Sequence, residues 1–159
     1  FQRHIGMRKV DAMKDLALDI DADAKLRVKN KKVEFIRTKK DDIVILAIDN
    51  FASRASILAQ IENNPLVLSG GISSIGGNFE VVRGMNNYEK LSKEYASLPS
   101  GQEYDENDLT PCGSPISIYH RIGFAASLIA DSIIKNYQNM EDINENIIFD
   151  TPNKFIITN

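Results

Sequence analysis

The chain has 159 residues, a formal net charge of −3, 43% hydrophobic residues and 26% charged residues, which is the composition of an ordinary globular domain. The net acidity argues against a nucleic-acid-binding surface, and no apolar run reaches membrane-spanning length or resembles a signal peptide. The single cysteine excludes an internal disulfide and a multi-cysteine zinc site, and it fits a reducing compartment, so we expect a cytoplasmic protein.

The first third of the chain combines a helical pattern with a long basic run. Apolar residues recur at helical spacing over residues 9–20, which predicts a helix there. Residues 26–28 predict a short strand, and residues 33–36 a strand or a turn of helix. The cations of residues 25–40 alternate with apolar side chains, so we interpret this run as the solvated faces of strands and turns.

The next segments have the pattern of βα units. The apolar run at residues 43–48 predicts a buried strand, which is followed by a helix over residues 52–62. Asn63-Asn64-Pro65 ends this helix, because the residue before a proline disfavours helical backbone. Residues 66–68 predict another short buried strand. This alternation of helices and continuous apolar strands is typical of a parallel sheet.

After Gly76-Gly77 the pattern becomes that of a more exposed, antiparallel strand over residues 78–83. Its alternation places Phe79 and Val81 inward and Glu80 outward. We therefore expect the second half of the sheet to differ from the first.

Three further elements complete the chain. A short helix is predicted over residues 88–95 and is followed by a polar loop. The helix predicted over residues 118–137 carries apolar side chains around most of its circumference, which indicates burial in the domain centre. Two short apolar runs within residues 146–159 predict a terminal hairpin. The sequence shows no internal repeat and no linker, so we expect one α/β domain over residues 1–159.

The run Asp49-Asn50-Phe51-Ala52-Ser53-Arg54 is the most informative part of the sequence, because it places a carboxylate directly after a buried strand. Ligands of open α/β sheets lie outside the carboxyl ends of the strands. Asp49 is therefore a candidate ligand for a Mg²⁺ ion that is bound to phosphates. The alternative is that Asp49 or Asn50 caps the helix that follows.

Three segments in order resemble the ThiF-type family, whose members activate ubiquitin-like proteins. The first is Ile5-Gly6-Met7-Arg8-Lys9-Val10, which opens a helix. The second is Asp49-Asn50 with Arg54 four residues after Asn50. The third is the run from Leu68 to Val81, in which Ser69-Gly70 and a later glycine precede a strand. The resemblance implies a Rossmann-like, mostly parallel sheet flanked by helices, with antiparallel strands toward the C-terminus.

The resemblance also implies an activity, namely ATP-dependent adenylation of the C-terminal carboxylate of a ubiquitin-like or sulfur-carrier protein by a homodimer. Lys9 would contact the phosphates of ATP, and Asp49 would hold Mg²⁺. Asn50 would help to shape the same crevice, while Arg54 would fix the following helix or a dimer contact. Arg3 is a further candidate for phosphate contact, the alternative being a solvated terminal residue.

Cys112 is the candidate nucleophile, because some members of the family receive the activated carrier as a thioester. A following helix N-terminus would lower the pKa of this thiol, and His120 is close enough in sequence to act as a base. The alternatives are a buried small hydrophobic residue at position 112 and a structural histidine at position 120.

The sequence departs from the family in lacking the Gly-rich phosphate-binding turn and the ribose-binding acid. The glycines of residues 70–77 are no substitute, because they lead into a strand and not a helix. We therefore expect the chain to be an N-terminally incomplete ThiF-type domain that binds ATP poorly alone. The alternative to an enzyme is a non-catalytic partner subunit or docking scaffold. A nicotinamide-type dehydrogenase has no dinucleotide fingerprint to support it.

Overall fold

The computed structural model describes residues 2–33, 35–72, 76–98, 119–138, 145–150 and 154–158. Contacts divide the chain into two compact units, Phe1–Glu34 and Phe35–Asn159. The expected single domain over residues 1–159 stays a prediction. After a single 3₁₀ turn at Gln2–His4, the described elements are α1 (Lys9–Ile20), β1 (Ile43–Leu46), α2 (Phe51–Leu58), β2 (Leu66–Ile72), β3 (Gly76–Val82), α3 (Met85–Ser97), α4 (Tyr119–Tyr137), β4 (Glu145–Asp150) and β5 (Lys154–Thr158).

The first unit is built around α1, whose predicted bounds are confirmed. Gly6 precedes the helix with φ +85°, a left-handed conformation that glycine adopts without strain. The strand predicted at residues 26–28 is wrong. Residues 25–33 make no backbone hydrogen bond to any described residue, so this segment has no strand partner there.

The second unit contains a five-stranded sheet in the order β1-β2-β3-β4-β5. β1 and β2 are parallel, with α2 as their crossover, and the other three pairs are antiparallel. The α/β class, the helices flanking the sheet and the antiparallel strands toward the C-terminus are confirmed. The parallel part of the described sheet is the single pair of β1 and β2. The terminal hairpin is confirmed as β4 and β5.

The sheet packs helices on two faces, because successive side chains of a strand point in opposite directions. On the α2/α3 face, Val67 joins residues of β1, α2 and α3 in one buried cluster. On the α4 face, Leu66 and Leu68 pack with Phe79 and Val81 of β3. The α4 residues packed against this second cluster are Leu128, Ile129 and Ile133.

Three predicted helices differ from those observed. α3 is longer than predicted, because it spans Met85–Ser97 where the sequence predicts residues 88–95. α2 ends at Leu58, before the predicted end at residue 62, and the chain then turns through Asn63 and Asn64, both with positive φ. α4 has the predicted length, but the prediction that it is buried on most sides is wrong for its described side chains, because Ile122 is 45% and Ile134 is 55% exposed. Of the described helices, none is long and apolar enough to cross a bilayer.

Candidate functional site

Asp49 lies just beyond the carboxyl end of β1, where the sequence predicts a ligand-binding crevice. Its side chain is exposed and makes no hydrogen bond or ion pair with the described residues. The carboxylate is therefore available to an external cation.

Asn50 is the N-cap of α2. It has extended backbone angles (φ −110°, ψ 118°), and its Oδ1 accepts a hydrogen bond of 2.9 Å from the backbone N–H of Ser53. This bond satisfies one of the free N–H groups at the start of the helix. The capping alternative is thus confirmed for Asn50, and Asp49 does not cap the helix. A role of Asn50 in shaping a nucleotide crevice stays a prediction.

Arg54 joins the ends of two neighbouring strands. Its side chain is 2% exposed; Nε donates to the carbonyl oxygen of Ile48 at 2.5 Å, and Nη2 donates to that of Gly70 at 2.6 Å. The guanidinium carbon lies 5.4 Å from the ring centroid of Phe51 and 5.7 Å from that of Tyr95. Because the carbonyl of Ile48 immediately precedes Asp49, Arg54 fixes the backbone from which Asp49 projects.

Gly71 leaves the space that the Arg54 guanidinium occupies. A Cβ atom at this position would lie 3.0 Å from Nη2 of Arg54 and 2.7 Å from Oδ1 of Asn78. Both distances are too short for a carbon contact, so any larger residue would displace one of the two side chains. The absence of a side chain at Gly71 therefore accommodates a buried arginine.

A buried polar network lies beside Arg54, around Glu80. The hydroxyl of Tyr95 donates to Oε2 of Glu80 and lies 2.7 Å from Oγ of Ser69. Nδ2 of Asn78 donates to Oε1 of Glu80 at 2.9 Å. The prediction that Glu80 points outward is wrong: its side chain is 7% exposed. The reason is that both carboxylate oxygens have hydrogen-bond donors inside the fold, which offsets the cost of burial.

Burial shifts the ionisation of both acidic groups in this network. Burial raises the pKa of Glu80, although hydrogen bonds from Tyr95 and Asn78 and the charge of Arg54 oppose the shift. Burial and the neighbouring charge of Glu80 raise the pKa of Tyr95 well above its ordinary value. The Tyr95 hydroxyl therefore stays protonated and donates a hydrogen bond to Glu80.

Sequence reasoning missed this network, although one signal was present. Tyr88, Leu91 and Tyr95 lie three and four residues apart, and all three are buried on one face of α3. This spacing shows that Tyr95 points inward, but it does not show which strand residue the hydroxyl meets.

The described residues contain no group of three or more His, Cys, Asp or Glu side chains that could hold a metal ion. A single carboxylate is nevertheless compatible with Mg²⁺, which commonly takes one or two protein carboxylates and completes its shell with phosphates and water. The exposed and unpaired Asp49 fits that requirement.

Lys9 and Arg3 belong to the first unit. Lys9 is exposed at the start of α1 and lines an open groove of about 450 Å³, whose floor includes Val10, Met13 and Leu26. It makes no hydrogen bond or ion pair with the described residues, whereas Arg3 is paired with Asp19. Contact of Lys9 or Arg3 with phosphate, and convergence of Lys9 with Asp49, stay predictions.

The remaining candidates fall largely outside the described residues. Cys112 and the side chain of His120 lie there, so the predicted thioester chemistry is not tested. The glycine-rich segment joins β2 to the antiparallel β3, which confirms that it leads from strand to strand and opens no helix.

Comparison with known proteins adds one finding. A model of the ThiF family matches residues 2–156, a range that contains Arg3, Lys9, Asp49, Asn50 and Cys112. No curated protein matches the chain.

Proposed function

Since this chain belongs to the ThiF family, we propose that it activates the C-terminal carboxylate of a ubiquitin-like or sulfur-carrier protein with ATP. The match over residues 2–156 is the observation that carries this proposal. The local geometry supports it, because Asp49 is an unpaired carboxylate beyond the carboxyl end of β1, on backbone that Arg54 fixes.

The proposed reaction is an acyl adenylation. An oxygen of the carrier's carboxylate forms a bond to the α-phosphorus of ATP, and the bond from that phosphorus to the bridging oxygen of the β-phosphate breaks. Pyrophosphate leaves with the electron pair. Negative charge develops on the phosphate oxygens, so positioned cations lower the barrier.

Two residues take direct roles in this proposal. Lys9, an exposed and unpaired cation, binds the phosphates. Asp49 holds the Mg²⁺ ion that accompanies ATP, and this ion, when bound, neutralises phosphate charge. Asn50 keeps the start of α2 in place beside Asp49 through its cap. Arg3 is a second candidate for phosphate contact, and Cys112 for a later thioester step. The proposal includes a cytoplasmic homodimer.

The test is ATP–pyrophosphate exchange that depends on the carrier protein, measured on the complete gene product. Asp49→Asn is expected to lower exchange by at least roughly 10- to 100-fold, the range found when groups that only orient a metal ligand are lost. Asp41→Asn is the matched control, because Asp41 is another exposed carboxylate but precedes β1, at the opposite end of the strand.

Each outcome bears on one part of the proposal. Absence of exchange in the unchanged protein would overturn the enzyme and favour a non-catalytic partner or docking scaffold. Equal activity of the Asp49→Asn and Asp41→Asn proteins would overturn the assignment of Asp49.

A further inference from the structure

A continuous series of buried contacts leads from β3 to the backbone that carries Asp49. It starts at Glu80, whose carboxylate accepts a hydrogen bond from the hydroxyl of Tyr95. The ring of Tyr95 packs against the guanidinium of Arg54, and Arg54 donates to the carbonyl of Ile48. Each member of the series is 7% exposed or less, apart from the backbone of Ile48. The series therefore consists of packed protein groups with little access to solvent.

The orientation of Arg54 depends on its aromatic neighbours. Nη1 of Arg54 is buried and has no hydrogen-bond partner among the described residues. The guanidinium is thus held by two carbonyl oxygens and by the rings of Phe51 and Tyr95, whose centroids are 5.4 Å apart. Stacking of a cation on an aromatic face is favourable and directional, so the position of the Tyr95 ring helps to set that of the guanidinium.

The position of the Tyr95 ring depends in turn on its hydroxyl. That hydroxyl contacts Ser69 on β2 and Glu80 on β3, which ties α3 to two strands of the sheet at one point. Hydrogen bonds to an ionised acceptor are stronger than neutral ones. Loss of this anchor would leave the ring held by its contacts with Arg54 and Phe51 and by other packing, without a hydrogen bond from its hydroxyl to the sheet.

We infer that Tyr95 and Glu80 are positioning residues for Asp49, acting through Arg54. This inference rests on the proposed function for what Asp49 does, but its geometric part concerns only the backbone at the start of α2. Neither residue contacts the proposed nucleotide site, so their substitution changes where Asp49 lies and not which groups are present.

The experiment compares the same substitution at two buried tyrosines of α3. Tyr95→Phe removes the hydroxyl that reaches Glu80, whereas Tyr88→Phe removes a hydroxyl that donates to the carbonyl of Pro65, before the amino end of β2. Both proteins keep the ring and lose a hydroxyl with two partners, Ser69 and Glu80 for Tyr95 and Asn64 and Pro65 for Tyr88, so both are expected to lose some global stability.

Amide hydrogen exchange of the complete gene product supplies a readout that does not depend on activity. The N–H groups of Ser53 and Arg54 are bonded to Asn50 and report on the start of α2, while the N–H of Leu66 is bonded to Asp42 and reports on the opposite end of the sheet. Tyr95→Phe is expected to speed exchange at Ser53 and Arg54 roughly fivefold to tenfold and to spare Leu66. Tyr88→Phe is expected to do the reverse.

Two variants of Glu80 test the other end of the series. Glu80→Leu removes the carboxylate that accepts from Tyr95 and leaves Ser69 as the other partner of the hydroxyl, so it is expected to speed exchange at Ser53 and Arg54 in the same direction as Tyr95→Phe, by a smaller factor. Glu80→Gln keeps an oxygen that accepts from Tyr95 and is expected to restore slow exchange at Ser53 and Arg54. Equal acceleration at all three amides in both tyrosine variants, or no acceleration in Tyr95→Phe, would overturn the inference.

Pyrophosphate exchange then connects positioning to function. Tyr95→Phe is expected to raise the KM for Mg²⁺–ATP roughly tenfold, while Tyr88→Phe leaves it unchanged. An unchanged KM in Tyr95→Phe would overturn the link to Asp49. A complete lack of ATP–pyrophosphate exchange in the unchanged protein would instead overturn the proposed function. The amide hydrogen exchange measurements would still decide whether Tyr95 and Glu80 fix the start of α2.

Discussion

The two faces of the sheet differ in what they bury. The α4 face buries Leu66, Leu68, Phe79 and Val81, all at most 1% exposed. The buried Ser132 of α4 donates to the carbonyl of Leu128 in its own helix. The α2/α3 face is apolar around Val67 but becomes polar at the carboxyl ends of β1 and β2, where Glu80 and its hydrogen-bond donors lie. One face therefore mainly stabilises the fold, and the other also fixes the geometry of the candidate site.

The same strands supply both faces. Ser69 follows Leu68 on β2, and Glu80 lies between Phe79 and Val81 on β3, so alternation sends their side chains to opposite sides. Because the two faces share strands, substitutions at single positions show how much each region contributes to the free energy of unfolding. Three substitutions test this comparison.

Phe79→Ala is expected to have the largest effect, a loss of about 4 kcal/mol in the free energy of unfolding. Phe79 is fully buried on the α4 face, so truncation removes its contacts and leaves a cavity. Urea denaturation measures the loss, with Ile45→Ala as the control, because Ile45 is 46% exposed and its truncation should cost less than about 1 kcal/mol. A loss below about 1 kcal/mol for Phe79→Ala would contradict the assignment of stability to this face.

Asn50→Ala is expected to lower the free energy of unfolding by about 1 kcal/mol, since it removes the N-cap of α2. Asn50→Asp keeps an oxygen that accepts from Ser53 and is expected to retain most of the stability. The same urea measurement compares the two. Equal losses in both variants would show that the cap bond does not stabilise the start of α2.

The mildest expected effect is a dependence on pH. Burial raises the pKa of Glu80 in the folded protein, so the folded state binds this proton more tightly than the unfolded chain. The stability from this group is fully present below its ordinary pKa of 4.5 and is lost as pH rises through the raised folded value.

Glu80→Gln removes this dependence. The free energy of unfolding of the variant minus that of the unchanged protein is therefore expected to be larger at pH 7 than at pH 4. Urea denaturation at both pH values measures the difference. Glu62→Gln is the control, because it makes the same change at an exposed carboxylate. If Glu80→Gln gained as little as Glu62→Gln, burial would not control the ionisation of Glu80.

Local patterns in the sequence predicted the elements that depend on local contacts. The bounds of α1, the strand before Asp49 and the terminal hairpin all follow from the spacing of nearby apolar residues. Spacing cannot supply a partner, however. The apolar residues near position 26 have the pattern of a strand, but no described strand pairs with them.

The candidate site was predictable to a similar extent. The position of Asp49 after a strand follows from the sequence, and so does a cap at its neighbour, but the predicted burial of that strand is wrong for Ile45, which is 46% exposed. The burial of Glu80 does not follow from the sequence. The alternation of polar and apolar residues assigns a charged side chain to the solvent side, whereas the donor that permits its burial, Tyr95, lies on another element. The need for glycine at position 71 is also absent from any local pattern, since it arises from the side chain of Arg54.

The sequential order of the strands has a consequence for folding kinetics. The β2–β3 and β4–β5 pairs close short connections, whereas the β3–β4 pair joins residues 76–82 to residues 145–150. The entropy cost of loop closure grows with the length of the loop, and distant contacts slow folding. We therefore expect the two hairpins to form early and the seam between them to close late, which makes the β3–β4 pairing the step that completes the sheet.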